Sequence, residues 1–370
     1  MKRALEGIKV LELGTYVAAP ALGSMLGMLG ATVVKVEPPE GDPTRKVTPW
    51  SWISYNWNKR SLALDLKSRD GLDAMKKLLK GTDVFVESLS PRAIKELGLD
   101  FESLRRFNDK IVCCSIKGFA SDSESSHRVG FDTIAQAEGG LMHVVRAEDG
   151  TPSRVGNPCV DLAAATFGAV GVLAALLQKP RRAAHIEVPL YDVVVYWNGY
   201  WLPYIDIHGQ EPSHLGSSHP GFSPYGVFRA QDGFVFIGVL SDAQWEKLVN
   251  KLGIKSDARY SDATERISDR DAVNSMVAEA VGKSQADRLL SELGDEVPCA
   301  RVSSLMDIYA NPELRERGVL RTVMGDGKSY HIALPPLMPR AVKKTMNLPA
   351  LRSFHDRRRK RKGRTKEIKG

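Results

Sequence analysis

Through the first 120 residues, short β-branched runs alternate with stretches of helical periodicity, and this alternation restricts the chain to βαβ units and a parallel sheet. Ile8-Lys9-Val10-Leu11-Glu12-Leu13 reads as the first strand, and Gly14-Thr15-Tyr16-Val17 as a short loop. From Ala18 to Gly30 small and apolar residues recur at helical spacing, and Thr32-Val33-Val34-Lys35-Val36-Glu37 is a second strand. Further strands are expected at Asp83–Glu87 and Lys110–Ile116, with a helix over Ser68–Leu79. The fold class that follows is α/β, with a doubly wound, largely parallel, Rossmann-like sheet.

From Asp161 to Gln178 the chain is Ala-rich and apolar nearly all round, which predicts a helix inside the protein rather than on its surface. Gly, Pro and Ser cluster between Gly209 and Pro224, where the character of the sequence changes, and an α+β segment follows from Tyr225 to about Leu314. The expected organisation is a large α/β domain over residues 1–208, a small α+β domain over 209–318, and a return to the large domain over 319–351. Residues 352–370 form a basic tail. The sequence shows no internal repeat.

Composition excludes several functions. With 43% hydrophobic and 26% charged residues among 370, the chain is an ordinary globular protein. No uninterrupted apolar run reaches the roughly 18 residues of a membrane span, and Met1–Gly7 lacks the apolar core of a signal peptide, so a cytoplasmic protein without a membrane partner is expected. Cys113, Cys114, Cys159 and Cys299 have no metal-ligand spacing, and the eight histidines are scattered, so no metal is expected. The net charge of +8 lies in the tail: Arg352–Gly370 holds ten basic and two acidic residues, and the rest of the chain carries 42 of each. The run Arg357–Lys362 has neither an interleaved aromatic nor an apolar face and reads as a disordered, solvated terminus, the alternative being an electrostatic contact with RNA, a membrane surface or CoA phosphates.

Asp161, in Pro158-Cys159-Val160-Asp161, stands just before the long helix and is a good N-cap by pattern. An N-cap carboxylate is held as the anion by backbone N–H groups and the helix dipole. The residues alone leave open whether it is only a cap or also a nucleophile. Gly139-Gly140 and Gly221 could offer backbone N–H groups to an oxyanion, or could simply punctuate loops. The dinucleotide fingerprint fails, since Gly14 has no second and third glycine at G-x-G-x-x-G spacing; a P-loop and a G-x-S-x-G elbow are also absent.

Several segments in order carry a resemblance. They are Leu5–Leu13 with Pro20, Leu29–Arg45 including Glu37-Pro38-Pro39-Glu40-Gly41-Asp42, and Asn58-Lys59-Arg60-Ser61-Leu62 with Asp65-Leu66-Lys67. Asp83–Glu87, Gly130-Phe131-Asp132 with Gln136-Ala137, Gly139-Gly140-Leu141-Met142, Asp161, and Pro224–Phe228 with Asp232-Gly233 follow. In these the sequence resembles the family III CoA transferases, the group that includes formyl-CoA and carnitine-type CoA transferases and related acyl-CoA racemases.

The resemblance implies a two-domain α/β subunit in an interlocked homodimer. It implies an enzyme that carries CoA from an acyl-CoA to a small carboxylic acid, with coenzyme A as substrate and no permanently bound cofactor. Asp161 would be the nucleophile, passing through an acyl-aspartyl anhydride and an aspartyl-CoA thioester; Gly139 and Gly140 are assigned as oxyanion donors. Tyr16, Val17, Ala18, Arg45, Ser88, Leu89, Ala93 and Lys117 are carried over as the CoA-binding residues, with Arg45 and Lys117 as cations for its phosphates. The sequence departs from the family in four places. Val17 stands where formyl-CoA-type enzymes have Gln, Ser88-Leu89 replaces Asn-Phe, Glu96 stands where Arg is expected with Arg92 and Lys95 nearby, and the acidic ending is replaced by the basic tail. Two other readings remain. A racemase of this family has His where this chain has Phe131, which cannot accept a proton; a catalytically silent CoA-binding protein would need no nucleophile at all.

Overall fold

The computed structural model describes residues 3–147, 149–212, 216–337 and 345–352. The basic run Arg357–Lys362 lies outside the described residues.

In the first compact unit the expected alternation appears as β1 (Lys9–Leu13), α1 (Ala18–Met28), β2 (Thr32–Glu37), α2 (Pro49–Asn56), β3 (Arg60–Ala63), α3 (Arg69–Leu79) and β4 (Val84–Glu87). It continues with α4 (Pro91–Glu96), β5 (Val112–Lys117), α5 (Asp132–Glu138), α6 (Cys159–Leu177), β6 (Ala184–Pro189) and α7 (Leu190–Asn198). The six strands lie in the order β3-β2-β1-β4-β5-β6, every neighbouring pair parallel. This is a doubly wound order, with its reversal between β1 and β4.

Alternation along the strands divides the core in two. Val10, Val84, Val86, Val112 and Cys114 point into a cluster with α1 and α6, whereas Leu11, Phe85 and Cys113 point into one with Met75 and Leu79 of α3. The adjacent cysteines therefore face opposite layers, and both are free thiols. Helix α3 starts where expected, on Ser68, whose hydroxyl accepts from the Gly71 amide at 3.1 Å. The same unit carries a small sheet of β10 (Leu320–Gly325), β11 (Lys328–Ala333) and β12 (Thr345–Asn347), introduced after the strands of the second unit.

The second unit builds β7 (Tyr225–Ala230), β8 (Gly233–Gly238) and β9 (Cys299–Arg301) into an antiparallel sheet packed on helices. Its core includes Phe228, Val235, Ile237, Trp245, Val273 and Val277. It comprises His143–Ser153 and Gly199–Asn311, and the first unit resumes at Pro312. The chain thus returns to this unit at Gly199, ten residues before the expected Gly209. Within this unit His143 Nε2 lies 2.6 Å from the Glu211 carboxylate.

Helix α6 departs from its expected burial. Ala164, Ala165 and Val172 are fully buried, but Phe167, Val170 and Leu177 form an exposed stripe, with Val170 60% exposed. By length and composition alone this one described helix could cross a bilayer; its buried face and the Asp in its first turn mark it as a core helix of this sheet.

Candidate functional site

Open α/β sheets bind ligands at the carboxyl ends of their strands, beside the point where strand order reverses. Here that point lies between β1 and β4, so it is bounded by the loops that follow Leu13 and Glu87. The two loops touch: the Ser88 amide donates to the Leu13 carbonyl at 3.3 Å. A Cβ on Gly14 would come within 2.8 Å of Ser88 Oγ and 2.5 Å of the Ala19 Cβ, so the close approach requires glycine. Tyr16 follows with φ of +61°, a conformation that costs a non-glycine residue energy and that clusters at functional turns. Its ring is 55% exposed and its carbonyl accepts from Ser51 Oγ at 3.2 Å. Val17 precedes the first turn of α1, and Ala18 is buried at its start. On the other loop Ser90 caps α4 by accepting from the Ala93 amide.

Beneath the β1 loop lies a set of buried charges. Lys35 Nζ contacts Glu12 at 3.1 Å, Asp42 at 2.9 Å and the Gly14 carbonyl at 2.5 Å; Lys59 contacts Glu12 at 2.7 Å. The neighbouring carboxylates raise the Lys35 pKa against the opposing effect of its burial, which is the largest single influence. Burial dominates at Lys59, whose pKa falls to about 8. The attraction within buried pairs of this kind is largely offset by the cost of taking the charges out of water.

Both cations assigned to the CoA phosphates are otherwise engaged. Arg45 grips Glu37 with Nε at 2.7 Å and a terminal nitrogen at 2.9 Å, and its guanidinium lies 3.7 Å from the Trp52 ring centre. Lys117 is buried, and its ammonium donates to both Glu87 oxygens at 2.6 and 2.8 Å and to the Leu89 carbonyl at 2.6 Å. An ammonium has three donors, so none is left for a phosphate. The lysine instead holds the Ser88–Leu89 loop in place. Arg92 pairs with Glu96 at 2.7 Å on the surface. Lys67 has no ion pair among the described residues; it lines a cavity of about 360 Å³ at the ends of β1, β2 and β3 with Leu13, Glu37, Leu64 and Asp65.

Asp161 is not the N-cap of α6. The helix begins at Cys159, with Pro158 before it and no capping side chain there, which puts Asp161 in the first turn. The cap comes from another helix: Asp132, buried at the start of α5, accepts from the Val160 amide at 2.9 Å and the Asp161 amide at 3.1 Å. Gln136, one turn along α5 and fully buried, donates to the second Asp132 oxygen at 2.6 Å and accepts from the Val155 amide at 2.9 Å.

The electrostatic consequence reverses the expectation. With the helix N–H groups given to Asp132, the Asp161 carboxylate has no hydrogen bond or ion pair among the described residues. Burial first, and the nearby Asp132 charge second, push its pKa up to about 7. Asp161 also acts on Tyr55, whose phenol is raised by burial and then by this carboxylate.

Gly139 and Gly140 close the far end of α5, where their amides donate to Ala135 and Ala137 carbonyls at 2.9 and 3.3 Å. Those N–H groups are committed to the helix end and are not free oxyanion donors. Gly139 is needed for packing, since a Cβ there would meet Val194 at 2.5 Å, and Gly140 for its φ of +83°. Gly221 likewise donates its amide, to His219 Nδ1 at 3.1 Å. Phe131, where a racemase has His, is 53% exposed just before α5.

A larger cavity, about 630 Å³, opens on the face of β4–β6 lined by Phe85, Ser115, Lys117, His185 and Glu187. Asp161 does not line it, and chemistry rather than size identifies the site. Sequence reasoning missed Asp132 as the cap. The Asp132–Gln136 spacing of four residues was the available signal.

Residues 5–350 match the family described as CoA-transferase family III. The chain belongs to CoA-transferase family III. It is an enzyme that moves CoA between an acyl-CoA and a carboxylate. This family III transferase is 33% identical over 350 residues to a succinyl-CoA:mesaconate CoA-transferase of Haloarcula hispanica, covering 90% of this chain and 88% of that one. It is 33% identical to a succinate–glutarate CoA-transferase of Agrobacterium fabrum, covering 86% and 84%. Among solved structures it is similar to a CAIB/BAIF family protein of Brucella suis, with a TM-score of 0.85, 28% identity, and coverage of 95% of this chain and 97% of that one.

Proposed function

We propose that Asp161 carries the transfer covalently, with succinyl-CoA as donor and a short dicarboxylic acid as acceptor. An Asp161 oxygen attacks the thioester carbonyl; a C–O bond forms, the C–S bond breaks, and CoA leaves as its thiolate. The thiolate then attacks the aspartyl carbonyl, expelling the donor acid as a carboxylate and leaving an aspartyl-CoA thioester. The acceptor carboxylate opens that thioester, and the released thiolate takes the new acyl group, restoring Asp161. No net proton is consumed.

One arrangement carries this reading: a half-buried carboxylate with no hydrogen bond or ion pair among the described residues, whose burial and neighbouring Asp132 push its pKa up to about 7. Such a group is costly to keep and is well matched to nucleophilic work near neutral pH. Asp132 and Gln136 hold the first turn of α6, so the nucleophile sits on a rigid element.

For CoA, the reading keeps Tyr16, Val17, Ala18, Ser88, Leu89 and Ala93 around the strand-order reversal, and replaces Arg45 and Lys117 by Lys67 as the phosphate cation. The exposed Phe167, Val170 and Tyr196, with Phe167 and Tyr196 edge to face at 5.6 Å, support a homodimer of the interlocked kind in which a second copy covers them. Free Cys113, Cys114, Cys159 and Cys299 fit the reducing cytoplasm.

Incubation with succinyl-CoA should leave a CoA adduct on the peptide containing Asp161, seen by mass spectrometry, and hydroxylamine should convert it to a hydroxamate. Asp161→Ala should abolish transfer while CoA still binds. An active Asp161→Ala enzyme would refute the covalent route.

A further inference from the structure

A helix start presents four backbone N–H groups, those of its N-cap and of the next three residues, which need acceptors from outside the helix. At α6 the N-cap is Pro158, which has no N–H. The Cys159 amide donates to the Asn157 carbonyl at 2.8 Å, and the Val160 and Asp161 amides donate to Asp132 at 2.9 and 3.1 Å. Every donor of this helix start is therefore missing or committed, and none reaches the Asp161 carboxylate. Asp161 stands at the third helical position, from which an acidic side chain reaches back to the N-cap N–H in a capping box. The same chain makes that bond elsewhere. At the start of the helix Leu305–Ala310 the Ser304 amide donates to the Asp307 carboxylate at 2.7 Å, and this bond is the leading cause that holds the Asp307 carboxyl below its usual range. At α6 the spacing is the same, but the donor would have to be a proline nitrogen.

Resting on the covalent reading of Asp161, we propose that Pro158 is a positioning residue for CoA transfer: by withholding the N-cap N–H it keeps the nucleophilic carboxylate uncapped. Attack on the thioester turns the Asp161 carboxylate into a neutral anhydride, so negative charge leaves its oxygens as the C–O bond forms and the C–S bond breaks. A backbone donor on those oxygens would bind the ground state more strongly than the transition state, and such an interaction slows the step. Asp132 shares the task, because it takes the other two amides from outside the helix. Its second oxygen accepts from Gln136 at 2.6 Å, which fixes the carboxylate in that bridge. The helix start is satisfied without help from the residue that reacts.

Pro158→Ala restores the N–H, and Pro158→Gly restores it without a side chain. Both should let Asp161 close the capping box. A hydrogen bond to an ionised acceptor predicts a fall in kcat of about tenfold, with KM for acyl-CoA held within about threefold. The pH at which kcat/KM rises should also fall by about one unit, because the new bond favours the anion. A fall in kcat with that pH unmoved would mean that the proline only stiffens the helix start, and overturns its role. Wild-type kcat and an unmoved pH profile in both variants, alongside an inactive Asp161→Ala, overturn the role of Pro158 and leave the covalent route standing. An active Asp161→Ala, or a wild type that forms no CoA adduct, overturns both.

Discussion

Asp161→Asn should make the protein more stable, and only above acidic pH. The side chain keeps its shape but cannot ionise. The folded pKa of about 7 lies about 3 units above the ordinary 3.8, and one unit corresponds to about 1.4 kcal/mol. Between those values the folded state holds a proton that the unfolded state has released, so stability falls as pH rises from about 4 to about 7 and is unaffected below. Ionising Asp161 thus costs the native state at most about 4 kcal/mol at pH 8, about 2 kcal/mol at pH 5.5, and close to nothing at pH 3.5. Subtracting wild type from variant cancels the titration of every group that does not interact with Asp161. Urea unfolding of both proteins across this range should therefore give a difference that grows with pH and levels off above 7. A difference independent of pH, or one favouring wild type, would show that Asp161 is an ordinary capped carboxylate and would remove the observation on which the function rests.

The other expectations are more direct. Asp132→Asn removes the charge that, after burial, raises Asp161, so the alkaline rise in kcat/KM should move to lower pH; a profile that stays in place would detach Asp132 from the nucleophile. Lys117→Met leaves Glu87 buried without its partner and should cost about 3–5 kcal/mol of stability, measured by chemical unfolding, rather than raising KM for acyl-CoA alone. Lys67→Ala should raise that KM several-fold with kcat preserved, and equal kinetics would take the 360 Å³ cavity out of the CoA site. Val170→Arg should convert a dimer to monomer by light scattering; an unchanged mass would mean that the α6 stripe is not the interface.

Much of the first unit was legible because its signals are local. The period-two runs gave β1, β2, β4 and β5 nearly to the residue, and Ser68 announced α3. β3 and β6 were not read as strands: β3 has four residues, beginning at Arg60, and β6 mixes His185 and Glu187 into its apolar run. The turn cluster at Gly209 does not coincide with Gly199, where the second compact unit resumes, because turn residues mark loops wherever they occur, including inside a unit. At the site, the pattern located Asp161 but mistook its environment, since the partner for the helix amides, Asp132, lies 29 residues away in sequence.

By itself the sequence determined the parallel α/β fold and, through its ordered motifs, the family, because periodicity and turn chemistry depend on neighbours along the chain. Only the tertiary structure decided which charges are free. It spent Arg45 on Glu37, Lys117 on Glu87 and the glycine amides on a helix end, and it left Asp161 partly buried beside a second carboxylate. Ionisation and reactivity follow from burial and from charges brought near through space, and neither is encoded by spacing along the chain.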